Sequence, residues 1–197
     1  MDVTETTEVL DAALPIAEFR AHLRLGTGFA DEASNDGALA GYLRAAIAVI
    51  EGRTGKALLS RGFRLVLAQW RWSDAQALPV APVSAVDGMA MRSRDGAVSA
   101  VAPGRWRLVV DRHRPRIMTT GAVLPSIPLD GQVEIDFTAG FGATWDAVPD
   151  DLAQAVFLLA AHYHEGRTGS GAELPVSVAA LTARWCALRV TAGGYRA

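Results

Sequence analysis

The chain has a single cysteine, Cys186, in 197 residues. One cysteine excludes an intramolecular disulfide and a cysteine metal cluster, and such a residue ordinarily serves as a small buried apolar side chain. No apolar run approaches the roughly 20 residues of a membrane span. A basic excess is also missing: 19 Lys and Arg stand against 21 Asp and Glu, for a net charge of −2. The overall balance therefore gives no argument for nucleic-acid binding. The first residues, Met1 to Glu8, are acidic and lack the basic start of a signal peptide. They predict a protein made and kept in the cytoplasm, or assembled there into something larger. There is no internal repeat and no low-complexity tract. Charged residues are only 20% and hydrophobic ones 50%, which describes a globular chain, not a disordered one. The length suits one domain that buries about 70% of its unfolded surface.

The chain is organised around Val133–Arg167. Val133, Ile135 and Phe137 alternate with Glu134 and Asp136, the pattern of a half-buried strand. Ala139-Gly-Phe-Gly142 breaks it, since glycine supplies the backbone angles of a sharp exit. Val148-Pro149-Asp150-Asp151 then opens a helix. Proline suits the first turn, and the two aspartates place negative charge at the positive end of the helix dipole. Leu152, Val156, Leu159 and Tyr163 make its apolar stripe, and Gly166 is its stop.

Before this stretch, residues 1–14 read as a polar lead-in. Pro15 opens a short helix over Ile16–Leu25, with Ile16, Phe19 and Leu23 on one face. A second helix carries Leu39, Leu43, Ala46 and Ile50 at helical spacing and ends at Glu51-Gly52 or Gly55. Strand patterns follow at Phe63–Trp70, Trp106–Val110, Arg116–Met118 and Val133–Phe137, and Leu78–Val83 reads as an extended, proline-marked edge. Asp87-Gly88 and Asp95-Gly96 are turn signals around Met89–Met91. Five or six short strands predict a small antiparallel sheet or barrel. Helical patterning resumes after 149, and Leu174-Pro175 opens a last helix bearing Val178, Leu181, Trp185 and Leu188. The expected architecture is α+β. A helical core of about four helices, from 1–60 and 138–197, holds an inserted β region at 61–137, all in one domain.

Motifs that could carry chemistry are weak. Gly52-Arg-Thr-Gly-Lys56 resembles the end of a phosphate-binding loop, but Ile50 and Ala57 occupy two required positions and a helix precedes it. Gly140-Phe-Gly142 begins a dinucleotide fingerprint that Trp145 interrupts. His162 and His164 lie two apart on a helix, hence about 200° apart around it, and no third metal ligand is near. A salt bridge of His162 with Glu165 at the helix end is the simpler expectation. The histidines sit in no nucleophile motif, and there is no Gly-x-Ser-x-Gly. No catalytic residue, metal or cofactor is expected. Arg105, Arg107, Arg112, His113, Arg114 and Arg116 form the one basic cluster, with Trp106 inside it. A solvated sheet face, a DNA contact and a contact with an acidic neighbouring subunit are all compatible with it.

These pieces together resemble the head–tail connector (adaptor) proteins of long-tailed phages. The resemblance rests on Ala17–Arg24 as the opening helix and on Leu39, Tyr42, Leu43, Ala46, Ile50, Glu51, Thr54, Gly55 and Lys56 in the long helix and its exit. It rests further on Leu78-Pro79-Val80 with Pro82-Val83 and Val86-Asp87-Gly88. The most specific match is Val133–Gly142 with Val148-Pro149. Leu174-Pro175 with Val178, Leu181 and Trp185 resembles the final helix, although Trp185 stands where the family more often has tyrosine. Small size and an Ala/Arg-rich composition suggest the adaptor of an alphaproteobacterial gene transfer agent, a phage-derived particle. The resemblance implies a structural protein without chemistry. It would form a homo-oligomeric ring of twelvefold symmetry beneath the portal protein, prolong the DNA channel toward a tail-side connector or stopper, and need no sequence-specific DNA recognition. The C-terminal segment would reach the portal, and Leu181, Arg184, Trp185, Leu188, Arg189, Tyr195 and Arg196 are the candidate contacts. Arg105, Arg107, Arg112 and Arg114 are the candidates for DNA or subunit contact. Two rival readings are an enzyme with a site at the β insertion, using His113 or His162, and an oligonucleotide-binding β module using Trp106 and its arginines.

Overall fold

The structure, a computed structural model, describes residues 1–25, 32–166 and 174–186, with the backbone alone over 32–35. In chain order the elements are β1 (Asp2–Glu5), α1 (Ile16–His22), α2 (Glu32–Thr54), β2 (Arg61–Leu67), β3 (Ala75–Ala77) and β4 (Val83–Arg92). They continue with β5 (Val98–Ala100), β6 (Trp106–Val109), β7 (Arg116–Thr119), β8 (Gln132–Ala139), α3 (Asp150–Glu165) and α4 (Val176–Thr182). The fold is α+β, as expected.

Two hydrophobic clusters divide the work. In the helical one, Leu39, Leu43, Ala46 and Ile50 of α2 meet Leu152, Val156 and Leu159 of α3, with Phe19 of α1 and Val178 of α4. The spacing of these residues by three and four puts them on facing stripes. α2 stops where the chain turns left-handed: Gly55 has φ +67° and its N–H donates to Glu51 O at 2.8 Å, the glycine-stopped helix end of the αL type. Gly52–Lys56 is therefore a helix terminus.

The second cluster lies between two antiparallel sheets, ordered β1-β2-β8-β4-β5 and β3-β7-β6. Phe63, Leu65, Val133, Ile135, Phe137, Met89 and Met91 of the larger sheet pack with Ile117, Leu78 and Leu124 from the smaller-sheet side. β2 and β8 pair from Arg61↔Ala139 to Leu67↔Val133 and alternate strictly between buried and half-buried residues. On the outer face the partners are ionic: Arg64 Nε lies 2.7 Å from Asp136 Oδ1, and Arg92 pairs with Glu134.

Of the antiparallel sheet or barrel expected, the structure has sheet, in two open pieces. Two expectations are corrected. Residues 2–5 are not lead-in but strand β1, paired antiparallel with β2 from Asp2↔Val66 to Glu5↔Phe63. Asp87-Gly88 is not a turn; it lies inside β4, where the register with β8 shifts between Val86 and Gly88. A glycine inside a strand marks such an irregularity as readily as a turn. Asp95-Gly96 does turn the chain, with Ser93 N–H donating to Ala97 O at 2.9 Å and Gly96 at φ +88°.

Candidate functional site

Trp185 belongs to the helical cluster, on the side that the β6–β7 loop reaches. Its ring is 3% exposed and stands edge-on to Phe141 at a centroid distance of 5.5 Å. Phe141 sits there because the glycine exit from β8 turns the chain toward the helices. The indole N–H donates to Asp151 Oδ2 at 2.7 Å, and Arg184 Nε approaches the same oxygen at 2.6 Å. Burial pushes the Asp151 carboxyl up, but the hydrogen bonds from Arg184 and Trp185 outweigh it and leave the carboxyl below its ordinary value. Asp151 belongs to the first turn of α3, so the Pro-Asp-Asp start of that helix anchors the C-terminal segment.

The loop between β6 and β7 reaches the same place. His113 lies 5.9 Å from the Trp185 ring, and the guanidinium groups of Arg112 and Arg184 lie 6.0 Å and 5.0 Å from its centroid. Arg112, His113, Arg184 and Trp185 line an open cavity of about 240 Å³. Asp111 accepts from the His113 and Arg114 N–H groups at 2.7 and 2.8 Å, which fixes the loop. These bonds hold the Asp111 carboxyl below its usual range. Lys56, the only lysine in the chain, is buried close by. Burial lowers its ammonium against the opposing field of Asp111. Burial also lowers the His113 imidazole, as does the charge of Lys56. The group gathers cations around a buried indole, and among the described residues it holds no nucleophile paired with a base.

Arg105 and Arg107 lie on the same hairpin, further from the helices, and both are exposed. β6 is the outer strand of its sheet. Among the described residues no ion pair holds Arg105, Arg107, Arg112 or Arg116. Trp106 turns its indole inward, and its Nε1 has no hydrogen-bond partner. Arg114 is exposed on the loop.

Of the candidates on the C-terminal segment, Trp185 packs inward, Arg184 pairs with Asp151, and Leu181 is half-buried against the helical cluster. Up to Cys186 the segment closes the helical core. Leu188, Arg189, Tyr195 and Arg196 lie outside the described residues. His162 makes no ion pair with Glu165. Instead His164 meets Tyr42 edge-on at 5.8 Å, and His162 lies 6.2 Å from Tyr163. Among the described residues no group of three His, Cys, Asp or Glu could hold a metal.

One cluster escaped the sequence reading. Arg61, with its side chain 7% exposed, reaches Glu51 Oε2 at 2.7 Å and Glu5 Oε1 at 2.8 Å. Burial alone would lower this guanidinium, but the hydrogen bonds it donates to Glu51 and Glu5 more than offset that and raise it. The cluster lines a cavity of about 210 Å³ together with Glu8, Leu14 and Arg44. The only available signal was an arginine at the start of a strand, which by itself predicts an exposed side chain.

No family model and no curated protein matches the chain. Solved structures do. A chain from the "neck of empty GTA particle computed with C6 symmetry" is 59% identical, with 98% of this chain and 99% of that chain covered and a TM-score of 0.91. A chain from the "neck of native GTA particle computed with C12 symmetry" is 55% identical at the same coverage, with a TM-score of 0.86. This chain belongs to the head–tail connector family of gene transfer agent necks. A third match, from the "virion of native gene transfer agent (GTA) particle", is 60% identical, again covering 98% and 99%, with a TM-score of 0.88. A neck connector is a structural component between capsid and tail, and its place is the particle itself. No described helix is long and apolar enough to cross a membrane.

Proposed function

We propose that this connector forms a twelvefold ring that seats on the portal protein, receives a tail-side connector or stopper, and continues the DNA channel without reading sequence or catalysing a reaction. The observation that carries this reading is the full-length match to a neck solved with twelvefold symmetry. A ring of identical copies needs two different complementary faces on each subunit. The chain offers a helical layer at one end and a two-sheet layer at the other, which suits contacts above and below. The portal side is assigned to the C-terminal segment, with Leu181 and Arg184 at its base and Leu188, Arg189, Tyr195 and Arg196 beyond. Templating by the portal offsets the entropy of ordering many copies. The two clusters, joined through the glycine exit of β8, act in this reading as one domain.

The test is to delete the gene in a producing cell and image the particles. Filled heads without tails, restored to whole particles by the wild-type chain, are expected. Normally tailed particles in its absence would overturn the assignment.

A further inference from the structure

Two charged columns stand on opposite flanks of the β layer. The first is acidic. Residues 1–19 carry Asp2, Glu5, Glu8, Asp11 and Glu18 and no Lys or Arg. Glu5 is held by Arg61 and Asp11 by Arg44. Asp2, Glu8 and Glu18 are exposed and have no ion pair among the described residues. The second column is basic. Residues 105–116 carry five arginines against the single acid Asp111, and Arg105, Arg107 and Arg112 are exposed and paired with no carboxylate among the described residues.

Strand order places these columns apart. β1 is one edge of the larger sheet and β5 the other. The short link from β5 through Pro103–Arg105 leads straight into β6. β3 lies on the other flank, where Met1 shares a cavity with Gln76, Ala77 and Pro79. In the order β3-β7-β6 the free edge of β6 therefore faces away from β1.

The columns also run in the same vertical order. Asp2 pairs with Val66 at the far end of β2, whereas Glu5 pairs with Phe63 nearer the helices. Arg105 lies beside Thr120, at the far end of β7, through the Thr120 N–H to Arg105 O bond of 3.2 Å. Arg112 lies at the helical end, over Trp185. Turning one copy about an axis along this direction brings the basic column of one against the acidic column of the next, end matching end.

We propose that the β6 flank of one subunit docks on the N-terminal acidic flank of a second copy of this chain, and that this contact closes the ring. The inference rests on the ring reading above. Complementary charge of this kind sets register and suppresses wrong pairings, and heterologous faces on opposite flanks generate closed rings when the rotation closes.

The experiment uses two variants, Arg105→Glu/Arg107→Glu and Asp2→Lys/Glu8→Lys, each expressed in place of the wild-type chain, with neck rings in purified particles counted by electron microscopy. Circular dichroism and melting of the purified variants confirm that each folds. Each variant alone should lose most of its rings, because every contact becomes like-charged. Co-expressed, the two should restore them, since strict alternation makes every contact attractive and twelve is even. Rings at the wild-type level from either variant alone would overturn the proposal. So would failure of the co-expressed pair, or intact rings with reduced duplex-DNA binding by the arginine variant, which would make the strip a DNA surface. Absence of rings with the wild-type chain would instead overturn the ring reading itself.

Discussion

The indole N–H of Trp185 donates to Asp151 Oδ2 at 2.7 Å, across 34 residues of chain. This bond ties the last described turn of the protein to the first turn of α3, and Phe141 closes over the ring from the β side. A residue at the base of the segment assigned to portal contact is thus part of the core that holds the segment in place.

Trp185→Ala should destabilise the protein by about 3–5 kcal/mol, the usual cost of emptying a large aromatic site in a core. Trp185→Phe keeps most of the packing and loses the donated hydrogen bond, so about 1 kcal/mol is expected. Chemical denaturation of both variants checks the order. Equal, small losses would mean that the ring is not core.

Arg61 and Glu51 should behave asymmetrically. Glu51 Oε1 accepts from both the Leu58 N–H at 2.7 Å and Arg61 Nη1 at 3.0 Å. Arg61→Met leaves the Glu51 carboxylate nearly buried without its cation, which costs about 3–5 kcal/mol for a buried pair broken on one side. Glu51→Gln retains an acceptor for Leu58 and should cost less than Glu51→Leu, which orphans that N–H. Thermal melting of the three variants tests the ranking. Equal losses for Gln and Leu would remove the backbone contact from the explanation.

Much of this was legible in the sequence where one signal dominated. Val133, Ile135 and Phe137 alternate against acids, and Pro149-Asp150-Asp151 announces α3, so β8 and its helix were readable in type and nearly in extent. β1 was not readable, because only Val3 of its four residues is even half-buried and an edge strand of this kind carries no alternation. Asp87-Gly88 misled because the same glycine freedom serves a turn and a bulge. The Arg61 cluster was invisible for a different reason. Its carboxylates lie 10 and 56 residues away, and tertiary pairing alone decides that an arginine is buried. His113 was visible as a member of the basic cluster and as a rival catalytic residue; its contact with Trp185 follows from a hairpin reaching across to the helical layer, which no local pattern encodes.

Acid stability should show two windows. Burial and Lys56 lower the His113 imidazole below its ordinary value of 6.5, so the unfolded chain takes up that proton first as pH falls. Its contribution is complete above 6.5 and is lost as pH falls through the folded value. The Asp151 carboxyl is also depressed, below 3.8, and its stabilisation is lost in a lower window. Asp111, which faces the same junction, is itself depressed and titrates only in the acidic range. His113→Gln should flatten the melting temperature between about pH 7 and 5 and leave the steeper acid limb in place. An unchanged profile between pH 7 and 5 would show that His113 does not report on this junction.

Gly140 should prove the least replaceable glycine at the end of β8. Its φ is +140°, a conformation that residues with a Cβ rarely adopt. A Cβ built there meets the backbone of Ser60 and Leu59, not a flexible side-chain end that could move away. The neighbouring chain cannot retreat either, because Gly140 N–H donates to Pro82 O at 2.9 Å and Ser60 N–H to Gly142 O at 2.7 Å. Gly140→Ala therefore combines backbone strain of about 1–3 kcal/mol with a steric clash, for a total loss of about 3 kcal/mol or more. The same change at Gly41, exposed in mid-α2 with nothing within 4 Å of the added Cβ, should stabilise by about 0.5–1 kcal/mol through helix propensity. Because Gly140 aims Phe141 at Trp185, tryptophan fluorescence should shift in Gly140→Ala and stay constant in Gly41→Ala. Denaturation curves for the two variants moving in the same direction would contradict the assignment of Gly140 as the pivot that joins the β layer to the helices.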